Sequence, residues 1–210
     1  MLVDISSAVP WAYMEVPRTA STSLDRYLRA LYPKAHAPFQ KHWPICPPMA
    51  HENRSVYSFI SLRNPYSRAV SCWQFFTKPN SISFLNWLKK VDTFGFIDGD
   101  IEARPQLFWW RLASWDKVIY KENIEKDVLS LLEAFQATDQ QKATPFPKMN
   151  EIGGPWFNKT GRPTKGLRDK PWHAFYCKNT EELVQKIYLD DFTHLGFLLD
   201  FDEAVRADPN

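Results

Sequence analysis

Glycine is scarce in this chain. Its 210 residues contain seven, and none stands in a G-x-x-x-x-G-K-[ST] run, so a Walker-type phosphate loop is excluded. Cysteine is scarcer still: Cys46, Cys72 and Cys177 are odd in number and irregularly spaced, which excludes a closed disulfide framework and fits a reducing compartment. Long hydrophobic runs are missing too. No window approaches the ~18 apolar residues of a membrane span, and Met1 to Trp11 lacks a basic stretch followed by an apolar one. The expectation is a cytoplasmic protein with no membrane span. Neither sign of charge dominates, since 26 Lys plus Arg stand against 24 Asp plus Glu, a net charge of +2. That excludes a nucleic-acid binder whose affinity rests on a broad positive field, so any anion site must be local.

Hydrophobic side chains make up 44% of the chain and charged ones 24%, enough for a sizeable core without disulfide or metal support. Residues 1–210 read as one domain. Sixteen prolines stiffen the loops, and nine Trp with fifteen Phe supply aromatic surface that needs burial or a ligand. The Pro-rich stretches, Pro33 to Pro48 and Thr144 to Pro171, separate periodic segments and read as loops.

Ala12 to Val16 predicts a short strand, and Leu24, Tyr27, Leu28 and Leu31 recur at helical spacing after it, with Thr22 and Asp25 spaced as a capping box. A second unit repeats the logic. Val56 to Leu62 alternates as a strand, Asn64-Pro65 is an N-cap followed by proline at the first helical position, and Tyr66, Ala69, Val70 and Trp73 mark a helix. Further helices are expected over Ser81 to Val91, Pro105 to Ala113, Glu125 to Phe135 and Thr180 to Asp190, with a strand at Lys117 to Tyr120. Strands alternating with helices imply a parallel sheet covered on both faces, with ligands bound beyond the carboxyl ends of its strands.

Both strand-to-helix turns carry anion-binding chemistry. Pro17-Arg18-Thr19-Ala20-Ser21-Thr22-Ser23 places one cation and four hydroxyls where the first amides and the dipole of the next helix attract a phosphate or sulfate. An ordinary Ser/Thr-rich helix cap with a solvated Arg fits the segment as well. In the second turn Arg63 stands at the end of the strand, and Asn64, Ser67 and Ser71 follow as a polar stripe opposite Tyr66, Val70 and Trp73. An Arg at a strand end and a Ser two turns into the helix can grip one phosphate together. Two such turns in consecutive units weigh against scattered surface polarity.

The pair Val16 to Leu24 and Leu62 to Ser71 resembles the two signature segments of sulfotransferases that use 3′-phosphoadenosine 5′-phosphosulfate (PAPS). The resemblance implies an α/β fold with a P-loop-NTPase-like central parallel sheet flanked by helices. It implies that Pro17, Arg18, Thr19, Ala20, Ser21, Thr22 and Ser23 hold the 5′-phosphosulfate and that Arg63 and Ser71 take the 3′-phosphate. Lys41-His42, Arg104-Pro105-Gln106, Tyr120 to Ile124 and the stretch from Phe175-Tyr176 through Asp191-Phe192 to Leu195-Gly196-Phe197 look like the carbohydrate-type, membrane-enzyme-related branch. The resemblance runs from about Tyr13 to Phe197, with weak stretches at Asn80 to Ile101 and Thr138 to Pro171. The implied partners are the nucleotide cosubstrate and a hydroxyl acceptor, small molecule or glycan, with no metal.

Two features depart from the family pattern. Arg18 stands where the family usually has Lys, which leaves charge stabilisation and removes a ready proton donor. The loop Pro147 to Lys170 is long, and both Asn150 and Asn158 fit the family's Asn-containing nucleotide contact.

Sulfuryl transfer needs alignment, charge neutralisation on the leaving phosphate and a base for the acceptor hydroxyl. Histidine suits the base; His42 is the first candidate, His51 the reserve and Glu15 the third. Trp109 and Trp110 are candidates to stack an acceptor ring, and core packing claims at least one of them. The main alternative is a catalytically inactive nucleotide-binding module of the same fold. A zinc site on His42-x3-Cys46 and His173-x3-Cys177 and a P-loop kinase are further alternatives, the last weakened by the missing Gly-Lys-Ser/Thr.

Overall fold

The computed structural model describes residues 1–40, 42, 50–51, 54–76, 82–95, 103–147 and 170–208. They divide into two compact units: Met1–Leu62 with Phe108–Met149, and Arg63–Leu107 with Asn150–Asn210. In chain order the strands are β1 (Leu2–Asp4), β2 (Trp11–Met14), β3 (Ala50–His51), β4 (Arg54–Ser55), β5 (Tyr57–Leu62) and β6 (Lys117–Tyr120), all in the first unit. The helices are α1 (Ser21–Leu31), α2 (Pro65–Phe76), α3 (Phe84–Phe94), α4 (Leu107–Trp110), α5 (Ile124–Ala134), α6 (Asp139–Lys142), α7 (Lys178–Ile187), α8 (Leu189–His194) and α9 (Phe201–Ala207).

In the first unit a four-stranded sheet has the order β1-β2-β5-β6, and β3 pairs with β4 as a separate ribbon. β2, β5 and β6 run parallel, as expected, with Tyr13 opposite Phe59 and Ser61 opposite Ile119. The central parallel sheet is as expected, and one edge strand is added to it, β1, which lies antiparallel to β2. Three residues are too few to show a period, which is why β1 escapes a reading by pattern. Trp11, Tyr13, Phe59 and Ile119 share one face and pack with Leu24, Tyr27 and Leu28 of α1 and Val128, Leu131 and Leu132 of α5. Trp11 stacks on Phe135 with ring centroids 5.4 Å apart. The other face carries Ala12, Met14, Ile60 and Leu62, all fully buried. Burial on both faces gives β2 its unbroken apolar run.

Among the described residues the second unit has helices and no strand. Tyr66 of α2 meets Trp172, Tyr176, Phe192 and Phe201, and Trp73 meets Phe84 and Phe175, so much of the aromatic content is core. Asn64 caps α2 by accepting from the Tyr66 amide at 2.9 Å, ahead of Pro65 at the first helical position, as expected. Other boundaries move. α3 starts at the Ser83 cap and runs to Phe94. The helix expected over 105–113 is one turn, because the chain beyond it turns to feed β6, where the Asp116 amide donates to Ser58. The helix expected over 180–190 is two, α7 and α8, meeting at Tyr188. The capping box at Thr22 and Asp25 is not formed. Ala20 is the N-cap of α1 and adopts the left-handed conformation, and Asp25 instead pairs with Arg29 at 2.9 Å.

Candidate active site

The turn from β2 to α1 is held by hydroxyls. Thr19 is fully buried, and its Oγ1 donates to the Val16 carbonyl at 2.8 Å. A threonine has one hydroxyl proton, so Ser61 Oγ must donate to Thr19 at 2.6 Å and Tyr13 OH must donate to Ser61 at 2.7 Å. Burial first, and the Glu15 charge second, push the Tyr13 phenol well above its ordinary range and keep that donor protonated. The relay ties the turn to the middle of the sheet. It leaves Arg18 half-buried at φ 66° and Ala20 at φ 62°, both left-handed without being glycine. The Ser23 and Leu24 amides close on the Ala20 carbonyl at 2.9 and 3.1 Å. Amides ahead of them in a helix have no intrahelical acceptor, and the helix dipole adds positive potential there. Ser21 and Ser23 are buried, while Thr22 is half-buried.

His42 lies in the same unit, with φ 64°. Its Nδ1 stands 2.8 Å from the Glu15 carbonyl oxygen, which can only accept, so Nδ1 carries the hydrogen. In the neutral ring Nε2 is then the basic nitrogen. Trp109, fully buried, donates its Nε1–H to the His42 carbonyl at 3.0 Å, so this ring is a core brace for His42. Trp110 is half-buried and its carbonyl accepts from Trp115. Glu15 is buried with its Oε2 3.3 Å from the amine of Met1. His51 belongs to β3, and its side chain lies outside the described residues, as do Lys41, Cys46, Asn150 and Asn158.

In the second unit Arg63 follows the last residue of β5. Its Nε donates to Ser67 Oγ at 2.9 Å, and Ser67 in turn donates to the Asn64 carbonyl at 3.2 Å. The expected polar stripe is therefore largely internal: Asn64 and Ser67 are buried, and Ser71 is half-buried one turn further on. Gln106 brackets the Arg63 backbone, accepting from its N–H at 2.8 Å and donating to its carbonyl at 2.7 Å. Gln106 has no role legible in the sequence, because no local spacing links it to Arg63, 43 residues away. Asp191 accepts from the Gln106 and Leu107 amides at 2.9 Å each. Burial pushes its carboxyl up, against the opposing pull of Arg68 and those amides.

Among the described residues no group of three or more His, Cys, Asp or Glu is placed to hold a metal. None of their helices is long and apolar enough to cross a membrane. The family model described as Sulfotransferase family matches residues 5–197 of the chain. No curated protein and no solved structure matches it.

Proposed function

This chain belongs to the sulfotransferase family, and from that premise we propose that it moves a sulfuryl group from PAPS to a hydroxyl acceptor, with carbohydrate as the favoured class. The observation that carries this reading is backbone strain. Arg18, Ala20 and His42 are three of the four non-glycine residues with positive φ among those described. Left-handed conformations of this kind cost energy and collect at ligand-binding turns.

In the reaction the acceptor oxygen attacks sulfur, the bond from sulfur to the bridging oxygen of the phosphosulfate breaks, and the nucleotide leaves as the 3′,5′-bisphosphate. The acceptor proton passes to His42 Nε2. Arg18 and the first amides of α1, with Thr19, Ser21, Thr22 and Ser23, offset the charge that grows on the leaving phosphate. Pro17, buried ahead of Arg18, fixes the entry to this turn. Arg63 and Ser71 take the 3′-phosphate. Residues 1–210 act as one sulfotransferase domain in this reading. The proposed setting is cytoplasmic, in keeping with three cysteines of irregular spacing.

The test is transfer of labelled sulfuryl from PAPS to a panel of hydroxyl acceptors. Wild type transfers, and His42→Ala lowers turnover by about 10²- to 10⁴-fold with nucleotide affinity unchanged, while His51→Ala serves as the control. Nucleotide binding without transfer to any acceptor would favour an inactive binding module instead.

A further inference from the structure

One side-chain amide, that of Gln106, meets both peptide groups of Arg63. The ladder between β5 and β6 ends at Leu62 and Tyr120, so Arg63 lies one residue beyond the last strand pairing. Gln106 supplies the acceptor and the donor that another strand residue would have supplied. It is fully buried and anchored in turn. The Asp191 carboxylate takes the backbone amides of Gln106 and Leu107, and Gln106 Nε2 also reaches Asp191 Oδ2 at 3.4 Å. Arg68, fully buried as well, donates to the Arg104 carbonyl at 2.9 Å and holds the same segment from its other end.

Arg63 is thus fixed twice: its backbone by Gln106 and its Nε by Ser67, one helical turn on. A buried, fully bonded polar network of this kind contributes less to stability than an apolar replacement can, and its distinctive property is a fixed geometry. We infer that Gln106, oriented by Asp191, is a positioning residue for Arg63 in recognising the 3′-phosphate of the nucleotide. The inference rests on the donor proposed above. Setting the guanidinium direction before the ligand arrives removes an ordering cost from binding.

The test is calorimetric titration of wild type, Arg63→Ala and Gln106→Met with adenosine 3′,5′-bisphosphate and with adenosine 5′-monophosphate. Arg63→Ala is expected to lose on the order of 10- to 100-fold in affinity for the bisphosphate. Gln106→Met is expected to lose on the order of 10-fold, since the arginine stays but its aim is lost. Both variants keep the monophosphate affinity within about two-fold. Partial unfolding weakens both nucleotides alike, so the ratio reads positioning and not folding. Gln106→Glu keeps the shape, loses the donor to the Arg63 carbonyl and is expected to lose the same selectivity. If Arg63→Ala abolishes the preference for the bisphosphate while both Gln106 variants keep it, or lose both nucleotides equally, the inference is overturned and the donor proposal stands. If Arg63→Ala keeps the preference, the donor proposal falls and the inference with it.

Discussion

The turn after β2 and the turn after β5 both lead from a parallel strand into a helix, and both present an arginine, yet they are built in opposite ways. The first bends through two left-handed non-glycine residues, Arg18 and Ala20, and has no side-chain cap on its helix. The second has no positive φ from Arg63 to Ser71 and enters its helix through the Asn64 cap and Pro65. Strain in the first is held by a hydroxyl relay inside the sheet, from Tyr13 through Ser61 to Thr19. Geometry in the second comes from distant side chains, Gln106 and Asp191. The lesson is that a turn whose amides must face a ligand takes its shape from backbone distortion, whereas one that offers only a guanidinium can keep a relaxed backbone and borrow rigidity from elsewhere.

The largest expected effect breaks the second arrangement. Asp191→Leu removes a buried carboxylate that feels the Arg68 charge and orphans the Gln106 and Leu107 amides, so unfolding stability should fall by about 3–5 kcal/mol in chemical denaturation. A loss below about 1 kcal/mol would show that the brace is dispensable. Titration of Asp191 gives a second handle. Its carboxyl is raised above its ordinary value of 3.8 by burial, so the folded state holds the proton more tightly than the unfolded one. Its contribution to stability is therefore fully present below 3.8 and lost as pH rises through the folded value. Stability of wild type relative to Asp191→Asn should decline across that window.

Next in size is the cation of the first turn. Arg18→Ala should lower turnover by about 10²- to 10³-fold, the usual cost of one preorganised donor at a site where charge develops. Arg18→Lys restores the family's residue and should keep or raise activity. An inactive Lys variant with normal folding and nucleotide affinity would mean that the planar fork makes contacts a point charge cannot, and the comparison with the family would fail at this turn.

Smaller effects separate the relay from the strain it holds. Ser61→Ala removes the hub between Tyr13 and Thr19, leaving the buried Tyr13 hydroxyl without its acceptor and Thr19 with the Val16 carbonyl alone, for a loss of about 1–3 kcal/mol in thermal or chemical unfolding. Ala20→Gly relieves the left-handed conformation at the N-cap of α1. It should raise stability by less than about 1 kcal/mol, because the gain in the folded state is partly offset by the freedom glycine adds to the unfolded chain. A destabilised Gly variant would show that the turn is not strained at Ala20.

Most of the strand and helix order was legible because it rests on local period. Alternation marked β5, the spacing of Leu24, Tyr27 and Leu28 marked α1, and Asn64-Pro65 marked the start of α2. The errors fell where local signals competed or were too short. Thr22 and Asp25 have the spacing of a capping box, but the buried Thr19 fixes the turn so that the helix begins at Ser21, two residues too early for it. The helix expected over 180–190 divided at Tyr188, whose ring lies in the core with its hydroxyl on the Ala103 carbonyl, a bond across 85 residues.

By itself the sequence determined which residues stand at the two strand-to-helix turns, because residue type and spacing are properties of the chain before it folds. It determined the parallel β2, β5 and β6 for the same reason, since strands separated by helices leave room only for crossovers. Only the tertiary structure decided the left-handed φ of Arg18, Ala20 and His42, the hydrogen on His42 Nδ1 and the grip of Gln106 on Arg63. Each of these depends on a partner brought from afar, Ser61 for Thr19, Glu15 for His42 and Gln106 for Arg63, and their separations of 42, 27 and 43 residues leave no trace in any local period.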